Sequence, residues 1–145
     1  MCIRDSLYLL RERGVPAGEL GDALEHRSGL AALSDGGSGD VREASPLALS
    51  VFTYRVAGAV AAQAVALGGL DALVFTAGIG ERSAPVRAAV CARLGFLAVA
   101  LDEERNADAE PDCDVSADGA GVRTHVIRAR EELVAARAAR ALLGL

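Results

Sequence analysis

Apolar positions along this chain follow three rhythms, and each predicts a different kind of element. Val86, Val90 and Leu94 recur every four residues, the spacing of one helical face. Residues 72–75 form a short apolar run led by Asp71 and closed by Thr76, the pattern of a strand covered on both faces in an α/β sheet. In residues 122–127, Val122, Thr124 and Val126 alternate with Arg123 and His125, which predicts a strand with one wetter face. Residues 7–13 predict the end of a helix stopped by Gly14, residues 16–24 predict a second, and Gly29 closes a third turn. Residues 1–6 fit neither pattern. The segment at 46–67 predicts a long helix with large apolar residues on two faces: Leu49, Phe52, Val56 and Val60 on one, Leu47, Val51 and Tyr54 toward another. Such a helix is expected to be sandwiched between layers and to end at Gly68 and Gly69. Further along, residues 97–101 predict a strand, residues 102–114 a solvated acidic loop, and residues about 130–143 a helix. Strands alternating with helices define an α/β chain.

The stretch around which the rest is organised is residues 71–82, a buried strand breaking into a glycine turn that opens a helix. Gly78 and Gly80 give the backbone conformations closed to other residues and leave room for a ligand near the main chain. Ser83 is placed to cap the following helix, and Pro85 is tolerated in its first turn. Amides at a helix start, with the positive end of its dipole, make a seat for phosphate or ribose oxygens. A phosphate loop of the Gly-Lys-Ser/Thr type is excluded, because the chain contains no lysine. A dinucleotide site stays open, with Ser83 as the third small residue and Asp102, after the strand at 97–101, as the ribose-binding acid.

Three further places carry candidate chemistry. Residues 34–40, Ser-Asp-Gly-Gly-Ser-Gly-Asp, form a flexible loop, and Asp40-Val41-Arg42 sets an acid and a guanidinium two residues apart beside it. If that pair is extended, both side chains point the same way and can grip polar edges of a nucleotide. Glu131 and Glu132 open the last helix, where acids offset the dipole; either that is their whole role or one helps hold Mg²⁺ through oxygen or water. His125 has no partner in the sequence and reads as a partly exposed strand residue.

Composition narrows the classes. At 145 residues and 52% hydrophobic, the chain is one domain's worth of sequence with enough apolar matter for a sizeable core. A net charge of −5 with scattered arginines argues against a nucleic-acid partner. Cys2, Cys91 and Cys113 are odd in number and lack ligand spacing, as expected of free thiols in a reducing cytoplasm. No signal peptide is read at the start. Residues 47–67 are long enough to span a membrane, but they are rich in alanine and carry Arg55 near the middle, so a buried helix of a soluble protein is expected.

Taken together, Ser38-Gly39-Asp40-Val41-Arg42, the long helix, the string from Asp71 through Phe75-Thr76-Ala77-Gly78-Ile79-Gly80-Glu81, Leu101-Asp102-Glu103-Glu104-Arg105-Asn106 and Glu131-Glu132-Leu133 resemble the C-terminal part of acetate kinases. The resemblance implies a ribonuclease-H-like half of the actin-like ATPase and sugar kinase superfamily fold, a mixed sheet flanked by helices. It implies ATP or ADP and Mg²⁺ as cofactors, acetate or another short-chain acid such as propionate as substrate, and a homodimer at full length. By position, Asp40, Val41 and Arg42 match a nucleotide-binding segment, Gly78, Ile79, Gly80, Glu81 and Arg82 match the loop at the adenosine end of ATP, and Glu131 matches the Mg²⁺-associated acid. Arg82 stands where an asparagine is usual. The phosphate-binding segments and catalytic arginines of the family lie upstream of this stretch, so the chain is expected to supply the adenosine-binding half and to be inactive alone. Two rival readings are a dinucleotide-binding oxidoreductase domain and a non-catalytic association module.

Overall fold

The computed structural model describes residues 3–34 and 37–144. These residues divide into two compact units, one ending at Phe52 and the other running from Thr53 onward. Loop positions Asp35 and Gly36, and Cys2, lie outside the described residues.

In the first unit, α1 (Ile3–Arg11) begins earlier than its apolar pattern suggested, because Asp5 in its first turn and Arg11 in its last complement the helix dipole. Gly14 then takes a left-handed φ of 62°, and α2 (Ala17–His26) follows Pro16. Gly29, also left-handed, precedes the single turn of α3 (Leu30–Leu33) instead of ending one. Ser45 caps the long helix α4 (Pro46–Leu67): its Oγ accepts from Ala48 N at 3.2 Å and donates to Leu33 O at 2.7 Å. Pro46 occupies the first helical position, where its missing N–H costs nothing.

Helix α4 has the predicted bounds but not the predicted surroundings. In the second unit its buried positions are Thr53, Ala57 and Ala64, while Tyr54, Val65 and Leu67 stand exposed; in the first unit Ala48 is buried and Leu47 and Val51 are exposed. The helix is covered along a stripe of small residues, which allow close approach, and is not sandwiched. It is long and apolar enough to cross a membrane by length and composition alone, and Arg55 lies near its middle. Gly68 and Gly69 end it, with Gly68 N donating to Val65 O and Gly69 N to Ala64 O.

The second unit is built on a small mixed sheet in the order β1–β3–β2. Strand β1 (Ala72–Thr76) runs parallel to β3 (Arg123–Ile127), with Ala72 opposite Arg123 and Thr76 opposite Ile127; β2 (Cys113–Asp114) pairs antiparallel with β3. Leu73, Phe75, Thr124 and Val126 point into a core completed by Val86, Val90, Cys91, Leu94, Val99 and Val115. The alternation read in β3 holds, and His125 is half-buried as expected. In β1, however, only one face is covered. Val74 is 51% exposed and lies beside His125 on the open side.

Two segments differ from their sequence pattern. Residues 97–101 do not form a strand: a 3₁₀ turn (Gly95–Leu97) leads to Ala98, whose φ of 62° breaks the extended run, leaving isolated bridges from Val99 to Val122 and from Leu101 to Ser116. The acidic stretch after it is ordered. Asp102 accepts from Arg105 N at 2.8 Å and so caps α7 (Glu103–Ala107), with Glu103 and Glu104 in its first turn.

Where β2 meets β3, Asp114 accepts from Ser116 N at 2.8 Å and pairs with the Arg123 guanidinium. Hydrogen bonding from Ser116, helped by Arg123, pulls its carboxyl from 3.8 down to about 2. The ionised form is therefore favoured by folding. Its stabilisation is complete above about 3.8 and is lost as pH falls through about 2. Asp114→Asn is expected to melt lower than wild type at about pH 5, with the difference closing toward about pH 2, as followed by circular dichroism. A difference that stays constant with pH would show that the charge is not the source.

Candidate functional site

The chain leaves β1 at Thr76 and turns at Ala77, which takes a left-handed φ of 57° and opens α5 (Ala77–Arg82). The glycines expected to make this turn lie inside the helix, and neither has a positive φ. Their roles are spatial. A Cβ on Gly80 would sit 3.3 Å from the carbonyl carbon of Phe75, so Gly80 lets α5 lie against β1; a Cβ on Gly78 would meet nothing within 4 Å, because Gly78 borders an open cleft. Ser83 stands at the start of α6 (Ala84–Ala92) with Pro85 in its first turn, as predicted, but its side chain makes no capping bond.

That cleft, of about 760 Å³, is walled by Gly78, Glu81 and Arg82 of α5, by Ala107 at the end of α7 and Pro111 beyond it, and by Arg128, Ala129, Glu131 and Glu132 where β3 gives way to α8 (Glu131–Leu143). It thus opens at the carboxyl ends of two adjacent parallel strands, where α/β sheets place their ligands. Gly78, Glu81, Arg82 and Glu131 are brought together here as the sequence suggested. Ile79 is exposed but lies off the cleft wall, and Gly80 is turned toward Phe75. Arg82 has no hydrogen-bond or ion-pair partner among the described residues.

Glu81 is already engaged: its Oε1 accepts from Ala77 N at 2.8 Å and from Ala129 N at 2.7 Å. One amide that the helix start would have offered a ligand is thereby taken. On the far side of the same segment, Asp112 accepts from Arg128 N at 3.2 Å and pairs with the Arg130 guanidinium. Hydrogen bonding from Arg130 and Arg128 holds the Asp112 carboxyl below the usual carboxylate range.

The residues that fix the back of the cleft escaped the sequence reading. Arg87 is only 2% exposed. Its Nε donates to Asn106 Oδ1 at 2.7 Å, its Nη2 to Asn106 O at 2.7 Å, and its Nη1 to Gly80 O and Glu81 O at 3.0 and 2.9 Å. Asn106 in turn donates to Ala84 O at 3.0 Å. No carboxylate pairs with Arg87 among the described residues, and burial pushes its pKa down. Burial also lifts the neighbouring Cys91 thiol to about 12, so it is no nucleophile at neutral pH. The clue to Arg87 was its spacing: it falls three residues before Val90 and seven before Leu94, on the buried stripe of α6, where a charged residue demands an explanation.

Asp40, Val41 and Arg42 belong to the first unit. They are not extended: Val41 is buried in a 3₁₀ turn (Val41–Glu43), and Asp40 caps that turn by accepting from Arg42 N at 2.9 Å. The Arg42 guanidinium closes back on the same carboxylate, and these bonds hold Asp40 at about 2. The two side chains grip each other, where the sequence suggested that both would reach outward.

For Mg²⁺, the described residues hold no cluster of three or more His, Cys, Asp or Glu side chains able to ligate a metal unaided. Glu131, with Glu132 beside it on the rim, is the donor set that suits a cation bound through one or two carboxylates, water and a ligand's phosphates.

The same backbone recurs in solved structures. The chain aligns with a propionate kinase from Francisella tularensis subsp. tularensis SCHU S4 at a TM-score of 0.80 and 29% identity, over 92% of this chain and 36% of that one. With Porphyromonas gingivalis acetate kinase the TM-score is 0.83 at 27% identity, over 99% and 38%. A small mixed sheet flanked by helices, arranged as in these kinases, defines the α/β class of the actin-like ATPase fold. The Acetokinase family model matches residues 6–137, and the chain belongs to that family. Acetate kinases of Gloeobacter violaceus and Deinococcus deserti are 40% and 43% identical to it over 90% and 94% of its length. The chain spans 35% and 37% of the length of those two relatives. Asp102, which a dinucleotide site needed at a strand's end, is the cap of α7.

Proposed function

We propose that this chain is the C-terminal, adenosine-binding part of an acetate kinase, an enzyme passing a phosphoryl group between ATP and acetate to give ADP and acetyl phosphate. The observation that supports this most is the meeting of Gly78, Arg82 and Glu131 around one cleft, in a chain whose family membership rests on other grounds. In this reading the bare Cα of Gly78 lets the nucleoside lie against α5, and the unpaired Arg82 guanidinium offers charge to the ligand's anionic groups. Glu131 at the rim would hold Mg²⁺, directly or through water, and the bound ion would neutralise charge on the phosphates. By their match to the family's nucleotide-binding segment, Asp40, Val41 and Arg42 of the first unit are read as nucleotide-binding residues too. Acetate or propionate would be selected by residues that precede this stretch in the family, and the full-length enzyme would work as a cytoplasmic homodimer with no nucleic-acid or membrane partner.

Calorimetric titration tests this. The chain is expected to bind ADP weakly, and only with Mg²⁺ present, since much of the cleft for the phosphates lies elsewhere. Glu131→Gln should weaken that Mg²⁺-dependent binding, with none appearing in the absence of metal. Acetyl phosphate should not form when the chain is supplied with ATP, Mg²⁺ and acetate. Binding of NAD without regard to metal, or turnover by the isolated chain, would refute the reading.

A further inference from the structure

Glu81 lies in the cleft wall, yet the oxygen that makes its hydrogen bonds is turned to the protein's own backbone. Oε1 accepts from Ala77 N and from Ala129 N, which stand 2.8 and 2.7 Å away but are separated widely in sequence. These amides belong to the residue that follows β1 and to the loop that follows β3. Because Thr76 and Ile127 are register partners in adjacent parallel strands, one carboxylate oxygen ties together the two strand exits that bound the cleft. Ala77 needs such a tie, since a left-handed φ is unfavourable for an alanine, whose Cβ crowds the backbone there. Residues 128–130 are pinned from the other side by Asp112, which takes the Arg128 amide and the Arg130 guanidinium. Glu131 follows directly.

We propose that Glu81 is a positioning residue: by bridging the Ala77 and Ala129 amides it sets the separation between the Gly78 wall and Glu131, and its own charge makes no contact with the ligand. This rests on the nucleotide reading of the cleft. It assigns the glutamate of the Gly-Ile-Gly-Glu string to the architecture of the cleft, with recognition left to Gly78, Arg82 and Glu131.

Glutamine separates position from charge, because it keeps an acceptor oxygen where Oε1 stands and removes the negative charge. Amide hydrogen exchange is read first, without ligand, on wild type, Glu81→Gln and Glu81→Ala. The Ala77 and Ala129 amides are expected to be protected in the first two and to exchange at least about tenfold faster in the third, with Phe75 and Val126 amides unchanged as the control for folding. Titration with Mg-ADP follows. Glu81→Gln should bind within about threefold of wild type, and Glu81→Ala should lose about tenfold or more. Unchanged exchange at Ala77 and Ala129 in the alanine variant overturns the bridge. A glutamine variant that binds as poorly as alanine, with both amides still protected, overturns the positioning role in favour of a direct charge contact. Failure of wild type to bind Mg-ADP refutes the nucleotide reading and the ligand half of this proposal, while the exchange comparison decides the bridge by itself.

Discussion

Arg87→Ala is expected to cost the chain about 3 kcal/mol or more and to lower its melting temperature by about 10 °C. Among the described residues the guanidinium donates to four acceptors, Asn106 Oδ1, Asn106 O, Gly80 O and Glu81 O. Removing it strands these oxygens where water does not easily reach, at about 1–3 kcal/mol for each one left buried and unsatisfied. One effect opposes this: burial disfavours the charged guanidinium, and deleting it removes that penalty. The stranded acceptors and the gap left by a long side chain outweigh the relief, because the surrounding carbonyls come from helix ends that cannot turn away. Arg87→Lys should recover little, since a single ammonium cannot span Gly80, Glu81 and both Asn106 oxygens as a planar fork does. Thermal denaturation followed by circular dichroism decides the matter; an alanine variant within about 1 kcal/mol of wild type would show the network to be dispensable.

The second large effect distinguishes the two glycines of α5. Gly80→Ala is expected to destabilise by about 1–3 kcal/mol, since its methyl would lie 3.3 Å from the Phe75 carbonyl carbon, and Phe75 is held in the ladder opposite Val126. Gly78→Ala meets nothing within 4 Å and gains up to about 1 kcal/mol of helix preference, so its stability should hold or rise. The bulkier Gly78→Val places its side chain in the cleft and should weaken Mg-ADP binding by about tenfold or more while the protein remains folded. Melting temperature and titration, measured together, test the division: one glycine for packing, the other for access. Equal behaviour of the two positions in both measurements would remove it.

Elements governed by a single repeating rhythm were legible in the sequence. β1, β3, α4 and α6 fall where the apolar spacing put them, although β1 is covered on one face only and α4 along a stripe of small residues. What could not be read depends on backbone torsion or on partners distant in sequence. Ala98 breaks an apolar run that otherwise looks like a strand, and Ala77, not a glycine, takes the left-handed turn after β1. The acids after Asp102 resemble a loop until Asp102 is seen capping α7. In the candidate site, the resemblance to acetate kinases pointed to Gly78, Arg82 and Glu131, which line one cleft, whereas Arg87 and Asn106, 19 positions apart, come together only when α6 and α7 are packed. The closure of Arg42 onto Asp40 likewise follows from a 3₁₀ turn that no periodicity announces.

One rim of β1 carries no partner strand among the described residues, and the side chain at its centre, Val74, faces outward. Such a rim is adhesive, because its amides and carbonyls offer a ready template to any extended segment that arrives. Preparations of the isolated chain therefore face self-association that rises with concentration, and binding constants are best taken from dilute samples and compared across several loadings.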